Sequence, residues 1–299
     1  MSAPDHQFSA EPSEGDLIGA GLRIHYLDWG PTPGPTIVFL HGGGLNAHTW
    51  DVVCDVLHED FRCLALDLRG HGDSDWHPDG DYSLGSYVAD LAAAVDALGL
   101  NHFLLVGMSL GGVVALAYAA AHSARLTALV LVDTGPGGSR PAGRRRLGEF
   151  MTGPEEFASI EEIIDRAIAF NPRRSRERLQ RSLRNNLRQT ERGTWAWKYD
   201  PRFRGLGKDA VVSEASIDER IAERSLVLWE AAKAVTVPTL IVRGGQSDMF
   251  HDEDAERGAA GFPNGRWIRI DGASHTVQSD HPYELAAAIR DMAASGPRA

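Results

Sequence analysis

Short apolar runs, most of them ending in a glycine- or aspartate-containing loop, recur along the chain with helical patterns between them. The runs cover residues 35–40, 61–68, 103–106, 126–132, 239–242 and 267–270. Runs this short and continuous are typical of parallel strands that are covered on both faces. Patterns of helical spacing cover residues 87–98, 111–122 and 285–292. Strands that alternate with helices predict an α/β fold with a mostly parallel, doubly wound sheet.

The alternation stops after Asp133 and resumes near Thr239. Leu179, Leu183 and Leu187 in this interval have the spacing of an apolar stripe on an Arg-rich helix. We therefore expect a core formed by residues 1–136 and 221–299, with a helical cap inserted at residues 137–220.

Charge separates the same two regions. The formal net charge of the 299-residue chain is -11. Residues 139–205 contain 15 Arg and one Lys against nine Asp or Glu, a net charge of +7 that leaves -18 for the rest. An acidic chain lacks the basic footprint of nucleic-acid binding. The Arg cluster could bind an anionic substrate or an acidic partner, but interspersed Glu residues favour a solvated surface.

Other features narrow the class of protein. The first fifteen residues are polar and lack the pattern of a signal peptide, and no apolar run is long enough to span a bilayer. Cys54 and Cys63 are too few for a disulfide framework and are interpreted as buried thiols. No zinc-binding spacing of His and Cys occurs. We expect a cytoplasmic protein without cofactor, metal, nucleic-acid or membrane partner, and a homodimer is left open.

The segment Gly107-Met108-Ser109-Leu110-Gly111 lies between an expected strand and an expected helix. This is the context of a nucleophile elbow, in which a tight turn holds a serine at the mouth of the site. Glycines two residues before and after the serine keep the turn free of side chains. The helix N-terminus favours negative charge there.

A serine nucleophile needs a base and a carboxylate that orients the base. His275 follows the last expected strand, and Asp248 follows the strand before it, so both belong to the rim that carries Ser109. We favour His275 over His251 and His281. We favour Asp248 as the acid over Asp133, which follows the run 126–132, and over the other nearby carboxylates Asp252 and Asp254.

Acyl transfer also needs donors for an oxyanion. The loop His41-Gly42-Gly43-Gly44 ends the run 35–40, and its glycines leave backbone N–H groups unobstructed. We expect the N–H groups of Leu110 and Gly43 to form the oxyanion hole, with Gly44 as the alternative second donor and as a substrate-binding residue. His41 is expected to support the loop. The segment 67–75 is interpreted as a hydrogen-bonded structural loop.

These motifs together resemble the α/β-hydrolase fold family over residues 24–132 and 239–292. The resemblance rests on HGGG at 41–44, RGHGDSD at 69–75, GMSLGG at 107–112 and the acid and histidine loops. It implies a cap inserted after the sixth strand of the core sheet. Haloalkane dehalogenases and epoxide hydrolases have Asp where this chain has Ser109. C–C hydrolases typically have Asn and Trp where this chain has Met108 and Thr276.

Aromatic residues of the cap are candidates for the substrate pocket. Trp195, Trp197 and Tyr199 alternate, so an extended segment would place them on one face. They line a pocket or pack the cap onto the core. Phe150, Met151, Phe157 and Met108 are further candidates.

The sequence thus predicts a serine hydrolase that cleaves carboxylic esters or lactones of small, largely apolar molecules. Alternatives are a C–C bond hydrolase or a cofactor-free haloperoxidase or perhydrolase with the same triad, and a ligand sensor without catalysis.

Overall fold

A computed structural model describes residues 6–30, 34–151, 153–170, 176–204 and 214–295. Its strands are β1 (Ser13–Ile18), β2 (Arg23–Asp28), β3 (Thr36–Leu40), β4 (Arg62–Leu66), β5 (Phe103–Met108), β6 (Leu126–Val132), β7 (Glu156–Phe157), β8 (Leu187–Gln189), β9 (Trp195–Trp197), β10 (Thr239–Gly244) and β11 (Gly265–Ile270). Its helices are α1 (Asp51–Leu57), α2 (Leu84–Ala97), α3 (Leu110–His122), α4 (Pro141–Met151), α5 (Ile160–Phe170), α6 (Arg176–Asn186), α7 (Glu214–Ala234), α8 (Asp252–Ala260), α9 (Val277–Asp280) and α10 (Pro282–Ser295).

Within these ranges, eight strands form one sheet in the order β1-β2-β4-β3-β5-β6-β10-β11. The strands from β4 to β11 in this order pair in parallel, and β1 and β2 are antiparallel additions at one edge. The predicted α/β-hydrolase fold, a mostly parallel sheet with helices on both faces, is confirmed. The central strands β5 and β6 carry almost only buried residues, as strands covered on both faces must.

Helices bury the two faces of the sheet in separate apolar layers. One layer joins α2, α3, α7 and α8 to the sheet through side chains such as Leu91, Val114 and Leu228. The other joins α1 and α10 through Val53, Leu285 and Ile289, and both cysteines are buried there as free thiols. Because the sheet is anchored on both sides, the loops at its carboxyl edge have a rigid base.

The segment between β6 and β10 has an apolar centre of its own. Leu179, Leu183 and Leu187 pack there against α5, which contributes Ile163 and Ile164. The three leucines of the predicted stripe are thus buried. Only Leu179 and Leu183 lie on α6, however, because this helix ends at Asn186 and Leu187 begins β8. The strands β7, β9 and β8 form a small antiparallel sheet in this segment. We call residues 141–204 the cap.

The long helix α7 returns the chain from the cap to the core. It crosses position 220, the end of the cap expected from the sequence, without interruption. Its C-terminal part contributes Leu228 and Ala232 to the apolar layer that contains α3. The helix therefore belongs to the core over at least its last turns.

Several elements were not expected from the sequence, among them three strands and the helices α1 and α8. The strand β1 is polar and half exposed, so it shows no apolar pattern. The strands β7 and β8 and the helix α8 are short or rich in acidic residues. Pairing with neighbouring strands, and not local preference, determines such short strands.

Candidate active site

Ser109 occupies the sharp turn from β5 into α3. Its φ of 51° and ψ of -113° lie outside the regions that L-residues prefer, and such strain persists only where the surroundings impose it. A Cβ at Gly107 would lie 2.4 Å from the Gly111 carbonyl oxygen, and one at Gly111 would lie 2.4 Å from the Leu40 oxygen. The glycines thus allow the turn to pack directly on the end of β3, as the nucleophile-elbow motif predicts.

His275 lies after β11 and its partner is Asp133. The Nδ1 atom of His275 is 2.7 Å from Oδ2 of Asp133, which is buried directly after β6. Asp133 also accepts hydrogen bonds from Gly244 N at 2.8 Å and from the Ser247 hydroxyl at 2.5 Å. Both carboxylate oxygens are therefore satisfied, as burial of a charge requires. This geometry holds the imidazole with its Nε2 atom directed away from the carboxylate.

The prediction that Asp248 orients His275 is wrong in this structure. The Asp248 carboxylate is 42% exposed and pairs with Nη1 of Arg146 at 3.2 Å. The residue that reaches His275 is the alternative carboxylate, Asp133. Its φ of 50° turns the chain sharply at the end of β6, while its N–H bonds to Val242 O at 2.7 Å. The backbone contact between β6 and β10 thus brings Asp133, and not Asp248, to the histidine.

The competing histidines have other partners. His251 caps the N-terminus of α8, where its N–H bonds to Asp254. His281 precedes α10, and its Nδ1 atom lies 3.3 Å from Glu284. Asp252 and Asp254, the other candidate acids, belong to the first turn of α8 and pair with arginines. The preference for His275 is consistent with these contacts.

The glycine loop after β3 lies against the elbow. A Cβ at Gly42 would lie 3.4 Å from the Ser109 Cβ atom, and Gly111 N donates to His41 O at 3.0 Å. His41 is buried; its Nδ1–H donates to Gly42 O, and its Nε2 accepts from Leu68 N. Burial lowers the pKa of His41, so the ring is neutral and fixes the loop. This is the supporting role that the sequence predicts.

The two expected oxyanion donors lie at this junction. Leu110 is the first residue of α3, so its N–H has no acceptor in the preceding turn. The Leu110 side chain lies 3.8 Å from the position of a Cβ at Gly43. Gly44 has a φ of +75°, which directs the loop away from the sheet. These contacts bring Leu110 and Gly43 next to each other, and the role of their N–H groups as oxyanion donors stays a prediction.

Cap side chains cover the glycine loop. Phe203 lies 3.0 Å from the position of a Cβ at Gly43, and Met151 and Tyr199 lie 2.6 and 3.7 Å from one at Gly44. Trp197 stacks on Tyr199 with ring centroids 5.8 Å apart. Trp195 and Trp197 also pack against the apolar centre of the cap. Tyr199 is therefore the member of the predicted aromatic set that contacts the loop, whereas the two tryptophans stabilise the cap.

Comparison with known proteins agrees with this geometry. The family described as the alpha/beta hydrolase fold matches residues 35–282. The chain is 36% identical to esterase Rv0045c of Mycobacterium tuberculosis over 93% of this chain and 89% of that protein. A crystal structure of that esterase superposes with a TM-score of 0.73, covering 96% of this chain and 92% of that one at 30% identity. A 3-hydroxybutyrate-oligomer hydrolase of Cupriavidus necator is 28% identical over 90% of this chain and 92% of that protein.

The chain belongs to the α/β-hydrolase fold family. Within that fold, sequence reasoning missed Phe203, because no motif or periodicity marks the single turn Pro201–Arg204. Phe203 also packs on the buried ring of His71, with centroids 4.5 Å apart.

Among the described helices, none is long and apolar enough to cross a membrane.

The loop at residues 67–75 of this hydrolase fold is built around Asp67. Its carboxylate accepts from Ala47 N, Asp73 N and the His25 ring at 2.6, 2.8 and 2.9 Å. Burial would raise the pKa of Asp67, but these hydrogen bonds lower it below its usual value. These contacts fit the predicted structural loop.

In the described part of the chain, one cluster of side chains could hold a metal ion: His25, Asp67 and Asp73. His25 and Asp67 already bond to each other, and Asp73 pairs with Lys198 of the cap at 2.7 Å. The cluster is thus satisfied by protein groups.

Proposed function

We propose that this α/β hydrolase cleaves carboxylic esters or lactones of small molecules through an acyl-enzyme on Ser109. The observation that carries the proposal is the 2.7 Å hydrogen bond between His275 and the buried Asp133, at the rim where a strained turn presents Ser109. The similarity to a mycobacterial esterase over 93% of this chain supports the choice of reaction.

The first half of the reaction forms the acyl-enzyme. Oγ of Ser109 attacks the ester carbonyl, and Nε2 of His275 takes the serine proton. Asp133 accepts the Nδ1–H of the resulting imidazolium and stabilises its charge. The N–H groups of Leu110 and Gly43 hold the oxyanion, where each such donor contributes about 3–4 kcal/mol to transition-state binding. The tetrahedral intermediate collapses when His275 gives its proton to the leaving alkoxide.

The second half releases the acid. Water enters in place of the alcohol and gives a proton to His275 as it attacks the acyl carbonyl. The intermediate then breaks the bond to Ser109 Oγ, which recovers the proton from His275. A lactone follows the same steps, with the hydroxyl group remaining part of the released acid.

Turnover of p-nitrophenyl esters tests the proposal. The variant Ser109→Ala should lose at least about 10³-fold in kcat, because the residue forms the covalent bond. A fluorophosphonate probe should label the wild type and not Ser109→Ala. Retention of most activity by Ser109→Ala would exclude the acyl-enzyme.

The alternatives give different outcomes in the same assays. A C–C bond hydrolase would prefer vinylogous diketones to simple esters. A perhydrolase would form peracid from hydrogen peroxide and a carboxylic acid. A sensor would bind ligand without reaction with the fluorophosphonate.

A further inference from the structure

Most arginines near the cap have a recognisable partner. Those with partners are Arg140 with Glu253 and Asp254, Arg146 with Asp248, Arg166 with the Phe150 carbonyl, Arg176 with Asp165, Arg192 with Glu156 and Arg202 with Asp200. Arg224 differs from these. Within the described residues, no hydrogen bond or ion pair of its guanidinium is found, although the residue is half-buried.

Arg224 lies on the part of α7 that contacts the loop after Asp133. One turn earlier, Ile221 lies 3.4 Å from the position of a Cβ at Gly138. The next residue, Ser225, donates its hydroxyl to Pro136 O at 3.0 Å. One turn later, Leu228 is buried against α3. Residues three or four apart share a helix face, so Arg224 lies at the margin of the buried face of α7.

The helix α4 connects this region to the rest of the site. It begins beside the loop that follows β10, where Arg140 N donates to Met249 O at 2.8 Å and Gly143 packs on the Asp248 carbonyl. It ends at Met151, which covers Gly44. These two loops adjoin Asp133 and Ser109, because Ser247 donates to Asp133 and Gly42 lies against Ser109, so α4 runs from one side of the site to the other. Arg144, one turn into α4, donates to Ser139 O at 2.8 Å, in the same loop that Ile221 and Ser225 of α7 contact.

The guanidinium groups of Arg144 and Arg224 therefore both lie near the loop between β6 and α4, and Arg220 precedes Arg224 by one turn of α7. Burial, and then the neighbouring guanidinium groups of Arg144 and Arg220, lower the pKa of Arg224. The acidic residues Glu219 and Glu223 lie on the exposed face of α7. Among the described residues, the charged groups that lower the pKa of Arg224 are cations, and a half-buried cation in such surroundings destabilises a protein unless an anion binds it.

We propose that Arg224 binds a carboxylate of the substrate, with Arg144 and Arg220 adding to the positive field. This inference rests on the proposed ester hydrolysis and deepens it, because it names the preferred substrates as esters that carry a free carboxylate. A guanidinium binds a carboxylate through two parallel hydrogen bonds, which also orients the ester relative to Ser109.

Two esters with equal acyl chains test the proposal. Mono-p-nitrophenyl glutarate and p-nitrophenyl valerate have the same leaving group and chain length, and differ in the terminal carboxylate. The wild type should prefer the glutarate ester. In Arg224→Gln, kcat/KM should fall about 10–100-fold for the glutarate ester and less than about threefold for the valerate ester.

The matched control is Arg290→Gln on α10, which removes the same charge from a residue paired with Asp60. It should leave the ratio of the two esters unchanged. An equal fall for both esters in Arg224→Gln, or no fall for either, overturns the proposal. If the wild type hydrolyses neither ester, the proposed function is contradicted. The calorimetric titration described next then tests carboxylate binding by Arg224 independently of catalysis.

Calorimetric titration with glutarate itself does not depend on catalysis. The wild type and Arg290→Gln should bind glutarate, with an affinity that falls as salt is added. Arg224→Gln should bind at least about tenfold more weakly. Equal binding by Arg224→Gln, or none by the wild type, overturns the proposal. The variant Arg224→Met should melt no lower than the wild type, because it removes an unpaired cation; a large fall would instead indicate a structural role.

Discussion

The core and the cap meet at the candidate site but are built on different physical principles. Around Ser109, backbone contacts of the sheet position the groups: Gly111 packs on β3 and Asp133 bonds to β10. The cap is held over the site by the side chains of Asp200 and Lys198, which bond to Tyr82 and Asp73, and by one short backbone bridge between Tyr199 and His71. Backbone pairing places atoms through many cooperative contacts, whereas a few polar side chains can be exchanged one at a time. We therefore expect substitutions to alter the cap more readily than the positions of the catalytic groups in the core.

The sharpest test of the core concerns the two carboxylates. Asp133→Asn should lower kcat for p-nitrophenyl esters by about 10³–10⁴-fold, because the amide no longer supports the histidine tautomer that accepts the serine proton. Asp248→Asn, which alters an exposed pair with Arg146, should change kcat less than about threefold. The melting temperatures of both variants are measured as well, so that a loss of catalysis can be distinguished from a loss of folding. A larger loss of kcat in Asp248→Asn than in Asp133→Asn would instead support Asp248, the acid predicted from the sequence.

A smaller effect is expected where the cap covers the glycine loop. Phe203→Ala removes the ring beside Gly43 and should raise the ratio of kcat/KM for octanoate to acetate p-nitrophenyl esters about tenfold. Phe8→Ala, at a phenylalanine that is 49% exposed, serves as the control. An unchanged ratio in Phe203→Ala would mean that Phe203 does not limit the acyl chain.

The link through Asp200 should affect stability more than chemistry. The buried carboxylate accepts from Tyr82 at 2.5 Å and pairs with Arg202, whose guanidinium also donates to the carbonyls of His77 and Pro78. Asp200→Asn should cost about 1–3 kcal/mol and lower Tm by about 2–8 °C. An unchanged Tm would show that this link does not hold the cap.

The same carboxylate should make the link sensitive to acid. Burial would raise the pKa of Asp200, but hydrogen bonds from Arg202 and Tyr82 lower it below its usual value. Its contribution is therefore complete above about pH 4 and is lost as the pH falls through the lowered pKa. The stability gap between wild type and Asp200→Asn should narrow over this interval in urea titrations. A gap that is independent of pH would exclude the carboxylate charge as its source.

The smallest effect is expected at the exposed pair between Lys198 and Asp73. Lys198→Gln should change the free energy of unfolding by less than about 1 kcal/mol, because solvent screens both charges. The effect should vanish in high salt. A loss of unfolding free energy as large as that in Asp200→Asn would contradict the expectation that the Lys198 pair contributes less to stability than the contacts of Asp200.

Much of this arrangement was accessible from residue patterns. The continuous apolar strands and the glycines around Ser109 predicted the sheet and the elbow, because tight packing leaves few residue types for those positions. Asp133 and Asp248 both follow a strand and precede His275, so spacing could not decide between them. Phe203 and Arg224 carry no local signal, since their neighbours come from distant segments.

The sequence by itself determined the α/β-hydrolase fold, the strained serine, the glycine loop and the histidine that follows the last strand. These depend on periodicity and on steric limits within a few residues. Only the tertiary structure decided which carboxylate reaches His275, which cap side chains cover Gly43 and Gly44, and where an arginine is half-buried beside other cations. Those outcomes depend on the register of neighbouring strands and on contacts between helices far apart in the chain, which no local pattern encodes.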